Sequence, residues 1–277
     1  MELEFWKLEG LGNDYLYFDV RDPWPVTPNW NELARRLSDR HFGVGADGII
    51  TIAQGQGVDA VMRIFNADGS ESEMCGNGLR GMAKWLYDRG LAGTHQTIRT
   101  GAGLRFPEVV ESVEGRAELL RINMGVPRFE VLPGGSSDIA AGGLRFPAYS
   151  VSMGNPHLVI FGTLWDREQM ARWGPLLERH EWFPRRINVH SAEVVGRHGV
   201  KMRHWERGAG QTLACGTGAA GAAALALRLR LVESPLAVEV PGGVLTVEWD
   251  RDESHPVYLT GPAREVFHGY CSWVDSE

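Results

Sequence analysis

Short runs of β-branched and aromatic residues recur along the whole chain, separated by segments that contain glycine or proline. Runs of this length and content predict strands. In the first half the predicted strands are 5–8, 15–20, 49–52 and 61–65, and in the second half they are 149–153, 158–161, 200–205, 237–240 and 245–249. Each half is therefore predicted to consist of strands with interspersed helices.

Three segments have apolar residues at helical spacing. The first is 30–40, where Asn29 is placed to cap the helix, and the second is 77–89. The third, 217–230, is almost wholly alanine, glycine and leucine, and a helix that is apolar on every face must be buried on all sides. We therefore predict that it runs through the centre of a curved sheet. The glycine-rich segment 133–137 is predicted to be a loop.

A weak internal repeat relates the two halves. Cys75 lies in Met-Cys-Gly-Asn-Gly and Cys215 lies in Ala-Cys-Gly-Thr-Gly, at an offset of 215 − 75 = 140 residues. Other pairs fall near this offset in the same order: Gly12-Asn13 with Gly154-Asn155, Arg40-His41 with Arg179-His180, and Asn66 with Glu206. The repeat predicts two homologous domains, residues 1–121 and 122–263, that join near residues 113–121.

Composition and charge narrow the class of protein. The chain is 43% hydrophobic and 23% charged, which is typical of a globular protein, and its net charge of −7 argues against nucleic acid as a partner. No apolar run approaches the roughly 18–20 residues that span a membrane. Residues 1–6 lack the pattern of a signal peptide. These features predict a cytoplasmic protein without a nucleic-acid or membrane partner.

The three cysteines are Cys75, Cys215 and Cys271. Their odd number and the absence of a Cys-x-x-Cys pair argue against a disulfide framework and a structural zinc site. An isolated cysteine is most often a small buried hydrophobic residue, and we interpret Cys271 in this way. Cys75 and Cys215 differ because each precedes a glycine turn and a predicted helix.

A thiol at a helix start is suited to acid–base chemistry. The free N–H groups and partial positive charge of a helix amino terminus favour a thiolate and also bind a carboxylate. Two such helices would place one thiol on each face of a bound amino acid, so that one removes the Cα proton while the other delivers a proton. This stereoinversion needs no cofactor, and the chain has no Rossmann fingerprint or phosphate loop.

Several sequence blocks resemble diaminopimelate epimerases and follow the family's order: residues 10–14, 66–70, 73–78, 153–157, 205–210 and 213–218. The resemblance implies an isomerase that interconverts LL- and meso-diaminopimelate in lysine and peptidoglycan precursor biosynthesis. It implies an α/β (α+β) fold of two pseudo-symmetric domains, each a curved mixed sheet or barrel wrapped around a central helix, with residues 264–277 returning to the first domain. It also implies a homodimer that uses no pyridoxal phosphate and no metal.

The resemblance also assigns site residues. Cys75 and Cys215 match the catalytic acid–base pair. The substrate-binding positions of the family match Asn13, Asn66, Gly76, Asn77, Asn155, Asn188, Glu206, Arg207, Gly216 and Thr217. Among these, Arg207 suits a distal carboxylate, because a guanidinium pairs with a carboxylate in a bidentate fork. His157 and Glu206 match positions that adjust the protonation of the thiols.

One position departs from the family pattern. Many members have a glutamine that contacts substrate where this chain has Gly48, although its repeat partner Asn188 is present. The dipeptides Asp47-Gly48 and Asp68-Gly69 are each interpreted as simple hairpin turns.

Three other functions stay open on the sequence. The chain resembles, more distantly, two-cysteine racemases that act on histidine, proline or hydroxyproline. The two cysteines would also suit a thiol redox switch. The third alternative is a non-catalytic binding protein on the same scaffold, but such a protein would be expected to have lost one of the cysteines.

Overall fold

The structure is a computed structural model that describes residues 2–22, 24 and 26–273. The chain divides into two compact units, Met1–Ile122 with Gly261–Glu277, and Asn123–Thr260. Both are rich in sheet, and the predicted α+β class is confirmed. No helix among the described residues is long and apolar enough to cross a membrane.

The helices are α1 (Trp30–Ser38), α2 (Gly76–Asp88), α3 (Arg167–Glu178) and α4 (Gly216–Arg228), with a 3-10 turn at Pro133–Gly135. The strands are β1 (Glu2–Gly10), β2 (Asn13–Asp19), β3 (Gly48–Ala53), β4 (Ala60–Asn66), β5 (Glu71–Ser72), β6 (Ile98–Thr100), β7 (Gly103–Arg105), β8 (Glu108–Val113), β9 (Arg116–Asn123), β10 (Arg128–Glu130), β11 (Asp138–Ala141), β12 (Leu144–Pro147), β13 (Tyr149–Ser152), β14 (Pro156–Phe161), β15 (Asn188–Val194), β16 (Gly199–Glu206), β17 (Gly210–Thr212), β18 (Leu236–Val240), β19 (Gly243–Glu248), β20 (Tyr258–Pro262) and β21 (Arg264–Ser272).

The sheet of the first unit has the strand order β21-β1-β2-β3-β4-β6-β7, with β5 paired to β4. It is mixed, because β2 pairs with β3 and β4 pairs with β6 in parallel while the other neighbours are antiparallel. Helix α1 packs on β3 and β4, and α2 packs on β1, β2 and β21. Strand β21 pairs with β1, and residues 274–277 of the segment predicted to return to this domain lie outside the described residues.

The sheet of the second unit has the order β10-β13-β14-β15-β16-β18-β19-β20, with β17 paired to β16. Pairs β14–β15 and β16–β18 are parallel. Helix α4 contacts β13, β14, β15, β16, β18 and β19, and its residues 218–227 are all buried. The prediction that this apolar helix is buried on every side is confirmed, because its alanines and glycines let strands approach it closely.

The predicted strands and helices all coincide with observed elements. The predicted cap of α1 is confirmed, because Asn29 Oδ1 accepts the N–H groups of Asn31 and Glu32 at 3.1 and 3.3 Å. The Asp68-Gly69 turn is confirmed between the antiparallel strands β4 and β5, where Gly69 has φ +82°. The Asp47-Gly48 hairpin turn is wrong. Gly48 begins β3, whose neighbour β2 is parallel, so no hairpin can form there.

Gly48 is a packing requirement of the sheet. It is buried opposite Asn66 of β4, and a Cβ atom built on it would clash with the backbone carbonyl oxygen of Phe65 and lie 3.1 Å from a ring carbon of Tyr15. A glutamine at this position would therefore require β3 and β4 to move apart.

We predict that Gly48→Ala lowers the free energy of unfolding by about 1–3 kcal/mol, because the added methyl group meets backbone that cannot rotate away. Denaturant unfolding followed by circular dichroism measures the change. The matched control is Gly93→Ala, since a Cβ there has no atom within 4 Å. Equal stability of both variants would mean that the two strands separate without cost.

Candidate active site

Cys75 occupies the N-cap of α2. Its backbone is extended (φ −137°, ψ 122°), which turns the side chain over the first turn of the helix, and Sγ accepts the N–H of Gly78 at 3.5 Å. The thiol also donates to Asn13 Oδ1 at 3.6 Å. The sulfur is half-buried and lies at the amino terminus of α2, where the first N–H groups of the helix point outward.

The carboxamide of Asn13 is held in one orientation. Its Nδ2 donates to Asp47 at 2.5 Å, and a carboxylate can only accept, so the carbonyl oxygen faces Cys75. Asn77 Nδ2 donates to the same oxygen at 3.2 Å. Arg40 in turn donates to Asp47 at 2.9 Å. The predicted residues Asn13 and Asn77 are thus brought together beside Cys75.

Two buried side chains, Arg80 and Tyr15, lie next to this group of residues. Arg80 Nη2 donates to Asn77 Oδ1 at 2.8 Å, and burial lowers the pKa of this guanidinium to about 10, so it keeps its charge. Burial raises the pKa of Tyr15 well above its usual value, and the adjacent Cys75 raises it further. Tyr15 therefore stays a neutral phenol next to the thiol.

Cys215 occupies the N-cap of α4 in an equally extended conformation (φ −128°, ψ 103°). It is only 4% exposed, and Sγ lies 3.7 Å from Thr217 Oγ1. Burial raises the pKa of this thiol well above its ordinary value, and the nearby Glu206 carboxylate raises it further. The expectation that the helix start lowers the thiol pKa is wrong for Cys215, because desolvation and Glu206 outweigh the N–H of Gly218.

Asn155 and His157 lie next to this second cysteine motif. Asn155 Nδ2 donates to Thr217 Oγ1 at 3.3 Å, and its Oδ1 lies 2.9 Å from His157 Nε2. Burial lowers the pKa of His157 to about 3, so the ring is neutral near pH 7. A role of His157 in adjusting thiol protonation stays a prediction, and it would have to act without a charge on the ring.

The remaining predicted residues of the second unit lie around the start of β15 and the end of β16. Asn188 is buried, donates to the carbonyl of Pro156 at 3.0 Å and accepts the backbone N–H of Arg207 at 2.9 Å. Glu206 accepts the hydroxyl of Thr212 at 2.5 Å. The exposed Arg207 donates to the carbonyl of Arg185 at 3.1 Å.

The structure places three predicted residues outside these side-chain networks. Asn66 ends β4 and donates to Ser70 Oγ at 3.0 Å, so it supports the turn to β5. Gly76 and Gly216 are the first residues of α2 and α4 and contribute backbone only. Cys271 lies in β21 opposite Leu3, and burial raises its pKa to about 11, which fits its interpretation as a structural residue.

Sequence reasoning missed Glu178, the last residue of α3. Its carboxylate accepts the indole N–H of Trp205 at 2.9 Å and the backbone N–H of Gly208 at 3.1 Å. Burial raises the pKa of Glu178, but these donors and Arg186 hold it below its ordinary value. Glu178 thus holds the residues on either side of the Glu206-Arg207 pair, Trp205 and Gly208. No local sequence motif indicates this role, because the two partners are 27 and 30 residues away.

Among the residues that the structure describes, one group of side chains could hold a metal ion. His157, His190 and Cys215 each offer one ligand atom, all within 4.8 Å of one another. Tetrahedral zinc with bonds of about 2.0–2.3 Å requires closer donors, and the facing nitrogens of the two rings already share a hydrogen bond of 2.9 Å. The absence of a metal requirement stays a prediction.

Comparison with known proteins identifies the family. The model of the family described as diaminopimelate epimerase matches residues 5–130 and 149–266. A diaminopimelate epimerase from Desulforudis audaxviator is 43% identical over 98% of this chain and 99% of its own length, and one from Acetivibrio thermocellus is 40% identical over 96% and 98%.

Among solved structures, a PhzF-family phenazine biosynthesis protein from Bacillus anthracis aligns with a TM-score of 0.76 at 19% identity, over 99% of this chain and 100% of that chain. At this identity the likeness concerns the fold alone. Since the family model covers both cysteine motifs and the relatives align nearly end to end, this chain is an isomerase that belongs to the diaminopimelate epimerase family.

Proposed function

We propose that this protein interconverts LL- and meso-diaminopimelate in lysine and peptidoglycan precursor biosynthesis. One observation carries the proposal beyond family membership. In each unit a cysteine is the N-cap of the buried helix, with a carboxamide beside the same helix turn: Asn13 with Cys75 and Asn155 with the Cys215 motif. Each motif combines an acid–base sulfur with donors for a carboxylate.

In the proposed reaction the α-carboxylate is bound by backbone N–H groups at Gly76-Asn77 and Gly216-Thr217. Deprotonation breaks the Cα–H bond, forms an S–H bond and leaves the electron pair delocalised into the carboxylate, which these N–H donors stabilise. The thiol of the other cysteine then breaks its S–H bond to form a C–H bond on the opposite face. The net result is inversion at Cα with no oxidant and no cofactor.

The environment of Cys215 suggests how the roles are divided. Its thiol is protonated because burial and Glu206 raise its pKa, so Cys215 is the proton donor when Cys75 acts as the base. That step leaves Cys215 as the thiolate and Cys75 as the thiol, so in the reverse direction the same two proton transfers run backwards and Cys215 removes the Cα proton. The two thiols titrate as a coupled pair, and kinetic pKa values belong to the pair.

The distal half of the substrate carries a second ammonium and carboxylate. We assign its carboxylate to Arg207, with Asn66, Asn155 and Asn188 nearby in the family pattern, and its ammonium to Glu206. Asn188 already bonds two backbone groups, so it acts mainly by holding the N–H of Arg207 in place.

A racemase of histidine, proline or hydroxyproline is the nearest alternative. Such a substrate lacks the second carboxylate and would leave Arg207 without its proposed partner. The 40–43% identity to diaminopimelate epimerases over nearly the full chain favours diaminopimelate. Membership of an isomerase family argues against a redox switch or a non-catalytic binding protein as the main function.

We predict that fully reduced protein converts LL-diaminopimelate in deuterated water into meso product that carries solvent deuterium at the inverted Cα. Cys75→Ala and Cys215→Ala should each lower epimerisation by about 10²–10⁴-fold or more, because each removes one proton-transfer group. Chiral chromatography with mass spectrometry measures both, and Cys271→Ala is the matched control that retains activity.

The same assay run with L-histidine, L-proline and hydroxyproline tests the alternative. Exchange in one of these amino acids without reaction of diaminopimelate would keep the two-base mechanism and reassign the substrate. Full turnover in either Cys75→Ala or Cys215→Ala would exclude the two-base mechanism.

We predict that Arg207→Lys lowers kcat/KM for diaminopimelate by about 10- to 150-fold, because lysine loses the bidentate contact of about 1.5–3 kcal/mol. Steady-state kinetics measures the change. Arg116→Lys, an exposed arginine of β9, is the control and should leave kcat/KM unchanged. Unaltered kinetics in Arg207→Lys would remove this residue from the distal site.

We further propose a cytoplasmic homodimer, as the family resemblance implies. Sedimentation equilibrium of the full chain should give twice the mass of 30.6 kDa, and a concentration-independent mass of one chain would contradict it.

A further inference from the structure

Three buried histidines form a chain across neighbouring strands of the second unit. His157 lies on β14, His190 on β15 and His204 on β16, and each is at most 1% exposed. His157 Nδ1 lies 2.9 Å from His190 Nε2, and His190 Nδ1 lies 3.0 Å from His204 Nδ1. At its other end this imidazole chain reaches the carbonyl oxygen of Asn155, which lies 2.9 Å from His157 Nε2.

All three rings are neutral near pH 7. Burial lowers the pKa of His157 and His204 to about 3 and that of His190 well below its ordinary value. A neutral imidazole has one N–H donor and one lone pair. The protons along the chain can therefore be arranged in only two ways, all pointing toward Asn155 or all pointing away from it.

The surroundings of His204, the last histidine of the imidazole chain, decide between the two arrangements of protons. His204 Nε2 is buried and has no hydrogen-bond partner among the described residues. Protons that point away from Asn155 would leave an N–H on this nitrogen, and an orphaned buried N–H is rare in proteins. Protons that point toward Asn155 leave only an unused lone pair. His204 thus donates to His190, His190 to His157, and His157 to the carbonyl of Asn155.

We propose, building on the function above, that His190 and His204 are positioning residues that hold the carboxamide of Asn155 in one orientation. Their chain keeps the Asn155 carbonyl turned toward His157. The Nδ2 group must then face Thr217 Oγ1, at 3.3 Å, and its second hydrogen is free to donate to the distal carboxylate of the substrate, the group to which the family pattern assigns Asn155.

The first unit shows that the fold itself does not need these histidines. Ile50 and Ile64 pair across β3 and β4 as His190 and His204 pair across β15 and β16. These isoleucines fill the matching places with apolar side chains, so the three-ring chain is an addition specific to the second unit.

The two units also differ in what holds the carboxamide. Tyr15 pairs with Gly48 in parallel strands as His157 pairs with Asn188. The residue before Gly48 is Asp47, which orients Asn13, whereas the residue before Asn188 is the buried Ile187. The second unit lacks a carboxylate at this place, and the imidazole chain supplies the orientation instead.

The test uses three variants of the full chain. His204→Leu removes the donor to His190, His204→Asn keeps an amide N–H donor, and the double variant His190→Ile/His204→Ile copies Ile50 and Ile64. We predict that His204→Leu and the double variant raise KM for diaminopimelate about two- to tenfold, the value of one hydrogen bond, with kcat changed less. His204→Asn should restore most of the wild-type KM.

A spectroscopic measurement keeps the test independent of activity. Imidazole ¹⁵N–¹H correlation spectra of the unmutated protein should show His157 protonated on Nε2 and His204 on Nδ1. If the protein did not act on diaminopimelate, the proposed function would fail while these spectra still decided the direction of the chain.

Three results would overturn the proposal. They are a wild-type His157 protonated on Nδ1, an unchanged KM in a folded double variant, and equal KM values for His204→Leu and His204→Asn. If His204→Leu failed to fold, the double variant and the spectra of the unmutated protein would give the decision.

Discussion

The amide groups at the amino termini of α2 and α4, which have no acceptor within their own helix, are the constraint around which the site is built. Each helix is buried in its own unit, so its first N–H groups cannot simply be left to bulk water. A cysteine, an asparagine or threonine and two glycines surround each terminus, and the glycines allow close packing. Gly78, for instance, leaves only 2.7 Å between a hypothetical Cβ and Ile50 Cδ1.

The two termini meet this constraint with different chemistry. Near Cys75 the carboxamide of Asn13 is fixed by an ionised network of Asp47 and Arg40, whereas near Cys215 that of Asn155 is fixed by neutral imidazoles. A charged network suits a half-buried sulfur, and a neutral one suits a sulfur that is almost fully buried. The two motifs, alike in sequence, therefore give their thiols different electrostatic surroundings.

Much of the fold was predictable because hydrophobic patterning is a local signal. The capped helix α1 and the apolar helix α4 were evident from spacing alone, but α3 was not predicted, and the Asp47-Gly48 turn was wrong because a parallel neighbour strand cannot be read from a dipeptide. The cysteine motifs were evident as well. The residues that orient the side chains and backbone of the site, Asp47, Arg80, Glu178, His190 and His204, were missed because their partners are distant in sequence or because they occupy ordinary core positions.

Close packing between Gly218 and His190 makes these two positions depend on each other. A Cβ atom at position 218 would lie only 2.3 Å from Cε1 of His190, so a side chain there requires the imidazole to shift. A shift of this ring or a smaller residue at position 190 would also break the link between His204 and His157. The glycine that shapes the start of α4 and the imidazole that links the two outer histidines are thus coupled, so that a substitution at either position changes what the other can hold.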